Sequence, residues 1–491
     1  VRRRLDGSVW VAIVPALVTL LVVCYQIQRP SLWRDEGATL AAVHRSLPQL
    51  VRMLGHIDVV HGAYDLFMWF EVRLAGSSTL AIRFPSAVAM AVAAGFITLL
   101  GRRLVSIRAG LMAGLVFAAL PSVSWYAQNA RSYAMVTALA TLASYLLVRA
   151  MQAGGRRRWL AGYGVALAAL GLGNIFALLL IPAHALTLAG WNRRARQIPA
   201  GDPPAAAGER ALVRGWLIAS AAAVAVVSPV IVISVGQRDQ VSWLKPLNAH
   251  QVFGLRQLLG PNGLADLILL VIAATLAVST LRSRLRTDWP SGLVALSLPW
   301  LLLPPVVLLT TSAIHPVYFS RYVVFCIPAA ALLAGAGLAS LGWAGGAATL
   351  ALIALLAVPG QVALRRVGGH GENLSHLSKI LAVHSRPGDA VLFAGRNTRE
   401  YEWAYPAPYR HLRDVGLGQT PVQSGTLLGT DAPAAVIRQR LATGSRLWAI
   451  ETIPNRGHVP VLNGLGFRIA HRWSVSRIWL VLYTRAPGPT G

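Results

Sequence analysis

Acidic side chains are scarce in this 491-residue chain, which carries 18 Asp and Glu against 45 Lys and Arg. None of the acids falls between Glu71 and Asp202, so any acid–base chemistry has to draw on very few positions. Only 13% of the residues are charged and 55% are hydrophobic, which excludes a soluble globular chain of this length. Lysine is nearly missing, Lys245 and Lys379 being the only two. The two cysteines, Cys24 and Cys326, are too few for a disulfide framework. They show no zinc-type Cys/His spacing and are read as buried thiols. No internal repeat is visible, which argues against the repeat-built transporters.

What is abundant is apolar sequence in long runs. Crossing a bilayer takes ~20 apolar residues in a helix, and such runs recur from Val9 to about Leu356 with short polar breaks. A membrane β-barrel would alternate apolar and polar residues instead. The expected fold is an α-helical polytopic membrane protein with about 11 spans. They lie near 9–27, 82–100, 109–125, 132–149, 159–172, 175–190, 215–235, 264–281, 291–311, 321–341 and 345–361. Between 159 and 190, Gly171, Gly173 and Asn174 favour a pair of helices with a turn. The first run follows Arg2–Arg4 as in a signal peptide, but no small-residue cleavage site precedes Arg29–Pro30, so it is read as a retained helix.

The net charge of +27 does not point to nucleic acid, because the arginines follow the membrane. Arg2–Arg4, Arg102, Arg103 and Arg108, Arg149 and Arg156–Arg158, Arg193–Arg214, and Arg282–Arg286 occupy alternate connections. The positive-inside rule places these in the cytoplasm. A cytoplasmic N-terminus in the plasma (inner) membrane and an extracytoplasmic C-terminus follow. Beyond residue 361 the composition changes. Asp389–Phe393, Arg446–Ile450 and Ile478–Leu482 read as buried strands, with helices at 374–384 and 433–442 between them. The domain plan is therefore a membrane module, 1–361, and a small extracytoplasmic α/β domain, 362–491.

The outer connections hold the remaining chemistry. The first, 28–81, opens with Trp33-Arg34-Asp35-Glu36-Gly37, an acidic pair with no evident structural duty where the first span ends. It also carries His44, His56, Asp58, His61, Tyr64, Asp65 and Glu71. Apolar residues at 40, 43, 47, 50, 51 and 54 suit one amphipathic helix, Ala38 to Leu54, lying on the membrane surface. The next outer connection packs Tyr126, Gln128, Asn129, Arg131 and Tyr133 together, either as an interfacial aromatic belt or as a site. Arg131 offers a planar fork that matches phosphate. Arg321, beside Tyr322, and Lys245 are further outer cations, which can equally snorkel to lipid headgroups. In the last domain, Arg399 to Tyr405 joins aromatic and acidic groups that suit either a sugar or a structural cluster.

These pieces resemble a known family. Trp33–Glu36 after the first span, His61-Gly62-Ala63-Tyr64, Ala81–Ser86, Tyr126–Tyr133 and Ser320-Arg321-Tyr322 are similar to motifs of bacterial relatives of the protein O-mannosyltransferases, within the GT-C superfamily of integral-membrane glycosyltransferases. The resemblance covers about 28–190 and returns near 237–245, 311–335 and Arg386–Asp389. It implies transfer of mannose or another hexose or pentose from a polyprenyl-phosphate donor to an envelope glycolipid, polysaccharide or secreted protein. Asp35 takes the place of the catalytic base with Glu36 beside it. Arg131, Arg321 and Lys245 then hold the donor phosphate, and His61, Tyr64, Tyr126, Gln128 and Tyr322 line the substrate. The usual His-Pro-Pro-Leu-Tyr-Tyr stretch is altered here by Gly62, Ala63 and Asp65. The resemblance implies no required cofactor and leaves room for a divalent metal near Asp35 and Glu36. The preference for Arg over Lys accompanies GC-rich coding, as in actinobacteria.

The chemistry of such a step is simple to state. A phosphate leaving group needs its developing charge stabilised, and the incoming hydroxyl needs a base. Attack opposite the phosphate inverts the anomeric carbon. Two alternatives stay open on sequence: a flippase or transporter for a lipid-linked sugar, and an envelope polysaccharide ligase or polymerase. Transport predicts ionisable residues along the spans, and apart from Asp266 the central spans have almost none.

Overall fold

The computed structural model describes residues 6–195, 203–237, 291–395, 397–452 and 459–485. Helices run at Asp6–Cys24 (α1), Arg34–Val43 (α2), Leu47–His56 (α3), Gly62–Ala75 (α4), Thr79–Leu104 (α5), Ile107–Ala119 (α6), Pro121–Ala127 (α7), Tyr133–Gln152 (α8) and Arg157–Gly173 (α9). They continue at Leu180–Ala195 (α10), Pro203–Gly236 (α11), Ser291–Ser312 (α12), Ile327–Ser340 (α13), Gly342–Leu364 (α14), Leu374–His384 (α15), Glu400–Ala404 (α16) and Ala434–Leu441 (α17). The chain forms two compact units. One comprises Val1–Ile27, Val60–Tyr64 and Arg83–Leu364, the other Gln28–Val59, Asp65–Ile82 and Arg365–Gly491. One division falls at 364/365, and most of the first outer connection groups with the C-terminal residues.

The first unit is a helical bundle. Among the described residues six helices are long and apolar enough to cross a membrane: Thr79–Leu104, Tyr133–Gln152, Gly208–Gly236, Gly292–Ser312, Ser320–Ser340 and Gly342–Leu364. The run expected as one straight span at 109–125 is broken. Pro121 cannot donate to the preceding turn, and α6 and α7 meet at 66°. The runs at 9–27 and 175–190 appear as shorter apolar helices, Trp10–Cys24 and Ile175–Trp191. The expected span 264–281 lies outside the described residues. The 159–190 segment does divide at Asn174, whose side-chain oxygen accepts the Phe176 N–H at 3.0 Å.

Lipid tails are as apolar as leucine, so spans associate through close packing and internal hydrogen bonds. Both devices are present. A Cβ on Gly114 of α6 would lie 2.3 Å from Thr98 Oγ1 and 2.6 Å from Pro15 Cβ, and one on Gly335 of α13 would lie 2.3 Å from the Ala113 nitrogen. Glycine thus lets α1, α5 and α13 close directly on α6. Four further helices share a buried polar chain. Trp216 Nε1 donates to Tyr163 Oη at 3.0 Å, Tyr163 Oη is hydrogen-bonded to His184 Nδ1 at 3.0 Å, and His184 Nε2 is hydrogen-bonded to Ser144 Oγ at 3.1 Å. Cys24 and Cys326 are free thiols.

The second unit is built on a five-stranded sheet. In chain order the strands are Ala390–Phe393 (β1), Arg413–Asp414 (β2), Arg446–Thr452 (β3), Arg468–Val475 (β4) and Ile478–Thr484 (β5). Their spatial order is β2-β1-β3-β5-β4. β1 runs parallel to β2 and β3, and β5 runs antiparallel to β3 and β4. Leu392, Val415, Leu441, Leu447, Ala449 and Val481 form its core. The three apolar runs expected as strands are β1, β3 and β5, and the expected helices are α15 and α17. A single surface helix over 38–54 is not observed. The chain breaks at His44–Ser46, where Ser46 and Pro48 start α3, and Asp35 through Val43 of α2 are all buried.

Candidate active site

Asp35 and Glu36 sit in the first turn of α2 with unlike surroundings. Glu36 is fully buried, and its carboxylate accepts the Trp33 N–H at 3.3 Å. The acidic pair therefore does carry a structural duty, and Glu36 holds it: the carboxylate closes the helix start, where Trp33 offers no capping oxygen. Asp35 keeps a small exposed surface, with its side chain 12% accessible. Arg34 Nε lies 3.8 Å from Asp35 Oδ1 and 3.8 Å from Glu400 Oε2. The Arg34 N–H donates to Glu372 Oε2 at 2.8 Å. Burial works against the Arg34 charge, but Asp35, Glu372 and Glu400 outweigh it and hold the guanidinium above its ordinary value. Burial also pushes the Glu372 carboxyl up, with Arg34 opposing.

The rest of the first outer connection is clamped within the same unit. Arg45 donates to Ala41 O, and to Thr426 O and Leu427 O at 2.8 and 2.9 Å. Trp69 Nε1 and Arg73 Nη2 both donate to Arg45 O, and the Arg73 guanidinium lies 3.5 Å over the Trp69 ring. The Arg399–Tyr405 cluster faces this connection. Tyr405 Oη accepts the Leu32 N–H at 3.0 Å, the Trp403 ring lies 5.9 Å from that of His44, and Glu400 reaches Arg34. Arg399 is bound by Asp414 at 2.7 Å and Asp431 at 2.6 Å. The aromatic and acidic groups read as suited to a sugar are engaged in holding α2.

The helical unit brings three other predicted residues together. Arg131, 6% exposed, places Nη2 2.7 Å from His61 Nε2. A guanidinium only donates, so the imidazole accepts on Nε2 and carries its proton on Nδ1. Burial, Arg131 and Arg321 together push the His61 pKa well below its usual value. Arg321 lies 4.7 Å over the Phe319 ring. Tyr322, next in the chain, meets Phe176 in a tilted ring contact at 5.2 Å, and its carbonyl accepts from Asn174 Nδ2 at 3.2 Å. Burial raises the neighbouring Tyr318 hydroxyl to about 12. Tyr126 meets Tyr133 edge-on at 5.4 Å, and Tyr64 is buried.

Gln128 lies in the same turn as Arg131. It is fully buried and its amide donates to Val23 O at 2.7 Å, tying the 128–132 turn to the end of α1. Lys245 lies outside the described residues. Among the described residues no group of three or more His, Cys, Asp or Glu is placed to hold a metal ion. The residues missed from sequence are Arg34, next to the acidic pair, and Glu372. Glu372 precedes α15 in an unremarkable Gly-Glu-Asn turn, so nothing local marks it.

Residues 63–202 match the family model described as dolichyl-phosphate-mannose-protein mannosyltransferase. No curated protein matches the sequence. Among solved structures, ArnT from Cupriavidus metallidurans bound to undecaprenyl phosphate is similar with a TM-score of 0.61 at 14% identity, over 99% of this chain and 100% of that one. The Archaeoglobus fulgidus oligosaccharyltransferase in its apo form gives 0.52 at 10% identity, over 92% of this chain and 70% of that one. At such identities the likeness is one of fold. Its helical unit, its sheet-bearing unit and the matched segment give this chain the fold of the GT-C integral-membrane glycosyltransferases, as the motifs from Trp33 to Tyr322 imply.

Proposed function

We propose that this protein moves a sugar, mannose or a related hexose or pentose, from a polyprenyl phosphate to a hydroxyl of an envelope glycolipid, polysaccharide or secreted protein. The observation that carries the reading is the positive field around His61. Arg131 and Arg321 act on one imidazole that burial and their own charges keep neutral, so the local charge is cationic and suits a phosphate. The family match spans Arg131, and the ArnT structure was solved with a polyprenyl phosphate bound.

In this reading Arg131 and Arg321, with Lys245, hold the donor phosphate and stabilise the charge that grows on it as the glycosidic bond breaks. Asp35 takes the proton from the acceptor hydroxyl. Of the two carboxylates it is the one with exposed surface, whereas Glu36 is committed to the Trp33 N–H. Attack from the face opposite the phosphate inverts the anomeric centre. His61 orients Arg131, Tyr64, Tyr126 and Tyr322 line the sugar, and Gln128 supports the turn that carries Arg131. The protein spans the plasma membrane with its N-terminus in the cytoplasm and its C-terminal domain on the far side.

The test is transfer of radiolabelled sugar from polyprenyl-phosphate donors to an envelope extract by the full chain in liposomes. Wild type is expected to form labelled product and Asp35→Asn to form none while still binding donor. Full turnover by Asp35→Asn would remove Asp35 as the base. Movement of the labelled lipid between leaflets without transfer would identify a flippase instead.

A further inference from the structure

The four main-chain N–H groups that lead into α2 are each taken by a named acceptor. Ser31 donates to Val367 O at 2.8 Å, Leu32 to Tyr405 Oη at 3.0 Å, Trp33 to Glu36 at 3.3 Å and Arg34 to Glu372 at 2.8 Å. Three of these four acceptors belong to residues 365–405. Ser31 Oγ also accepts the Ser375 N–H at 3.0 Å. A helix start ordinarily leaves such donors to water or to a capping side chain. Here distant oxygens of Val367, Tyr405 and Glu372 take three of them, and the nearby Glu36 carboxylate takes the fourth. On the other side of the first turn, a Cβ on Gly37 would lie 2.2 Å from Glu400 O, so α2 rests directly on the backbone of α16.

We infer that Glu372, with Tyr405 and Glu400, is a positioning residue for Asp35, fixing the first turn of α2 and sharing the Arg34 guanidinium with the Asp35 carboxylate. This rests on Asp35 being the base. It gives the C-terminal domain a part in the reaction: that domain sets where the base points. The charged and titratable groups around this turn are Arg34, Glu36, Glu372, Glu400 and Tyr401, with Arg477 acting on Glu372. One guanidinium lies 3.8 Å from both Asp35 and Glu400 and also interacts with Glu372, whose carboxyl burial and the Asp35 charge push up against it. Replacing Glu372 by Gln keeps an oxygen for the Arg34 N–H and removes one negative charge. Arg34 is then shared by two carboxylates, the Asp35 pKa falls, and a base with a lower pKa is ready at lower pH.

The experiment measures pH–rate profiles of the full chain in liposomes with polyprenyl-phosphate mannose, for wild type, Glu372→Gln, Tyr405→Phe and Asp35→Asn. Glu372→Gln is expected to move the acidic limb of kcat down by roughly half to one pH unit, a displacement that loss of packing alone would not give. Tyr405→Phe, which removes the Leu32 acceptor and little volume, is expected to lower kcat on the order of tenfold with the donor KM within about twofold. With Asp35→Asn inactive, a Glu372→Gln profile superposing on wild type, or wild-type kcat in Tyr405→Phe, would overturn the positioning role and leave the base reading standing. Wild-type turnover by Asp35→Asn would overturn both.

Discussion

Replacing Arg131 by Ala gives the sharpest separation between a phosphate-binding and a merely structural guanidinium. The side chain is 6% exposed and its Nη2 contacts His61 at 2.7 Å, so it is held in a single direction before any ligand arrives. A hydrogen bond to a charged group contributes about 1.5–3 kcal/mol, and 1.4 kcal/mol is a factor of ten in Kd. Loss of one phosphate contact should therefore weaken donor binding roughly 10- to 140-fold. Arg131→Lys restores the charge without the fork and should recover only part of that. Arg131→Ala also removes one of the charges that depress the His61 pKa, so the imidazole gains a proton more readily as pH falls. The gap in Kd between Arg131→Ala and wild type is thus expected to narrow from pH 7.5 to 5.5, a comparison in which the ligand's own second ionisation, near pH ~6, cancels. The assay is equilibrium binding of a fluorescent polyprenyl phosphate to protein in nanodiscs, with thermal unfolding to confirm the fold. An unchanged Kd in a folded Arg131→Ala protein, at both pH values, would refute the phosphate assignment.

Two further outcomes follow from the same structure. His61 is held neutral in the folded state and takes a proton near pH 6.5 when unfolded, so the unfolded chain binds more protons and stability falls as pH drops below about 6.5, by about 1.4 kcal/mol per pH unit until the folded pKa is reached. Thermal melts at pH 7.5 and 5 should show His61→Asn losing less stability than wild type on acidification, and an equal loss would show that His61 is not the responsible group. Gly37→Ala sets a methyl group against Glu400 O, where a Cβ would lie at 2.2 Å. An overpacking cost of about 1–3 kcal/mol should lower the melting temperature and kcat together, and a variant that keeps both would mean that α2 and α16 are not in the tight contact described.

Sequence patterns exposed the elements whose burial is local. The apolar runs at 390–393, 446–450 and 478–482 are strands covered on both faces, and their composition says so. β4 escaped because it is an edge strand exposed along most of its length, and its Arg, His and Ser residues give no apolar alternation. β2 is two residues long and leaves no pattern at all. The break between α2 and α3 was overlooked because apolar periodicity carries smoothly across 43–47, although Ser46 and Pro48 are ordinary signals for a new helix start. α2 is buried all round, so its burial comes from distant chain and not from its own pattern. For the candidate site, the scarcity of acids points to Asp35, and a guanidinium fork on the outer side points to Arg131 and Arg321. Partners contributed from far along the chain left no trace: the bond from Arg34 to Glu372 spans 338 positions.

That separation bears on when the first turn of α2 can be set during synthesis of the chain. Residues 31–37 leave the ribosome early, but the Glu372 and Tyr405 that fix them follow 338 and 373 positions later. At about 5–20 residues per second the delay to Glu372 alone is roughly 17–70 s. Throughout that interval the segment bearing Asp35 lacks the oxygens that define its first turn. A chain released before residue 405 would lack the Tyr405 hydroxyl that takes the Leu32 N–H, and α2 would start without it. The order of translation thereby places the setting of this first turn after residue 405, and in the proposed function turnover begins only then.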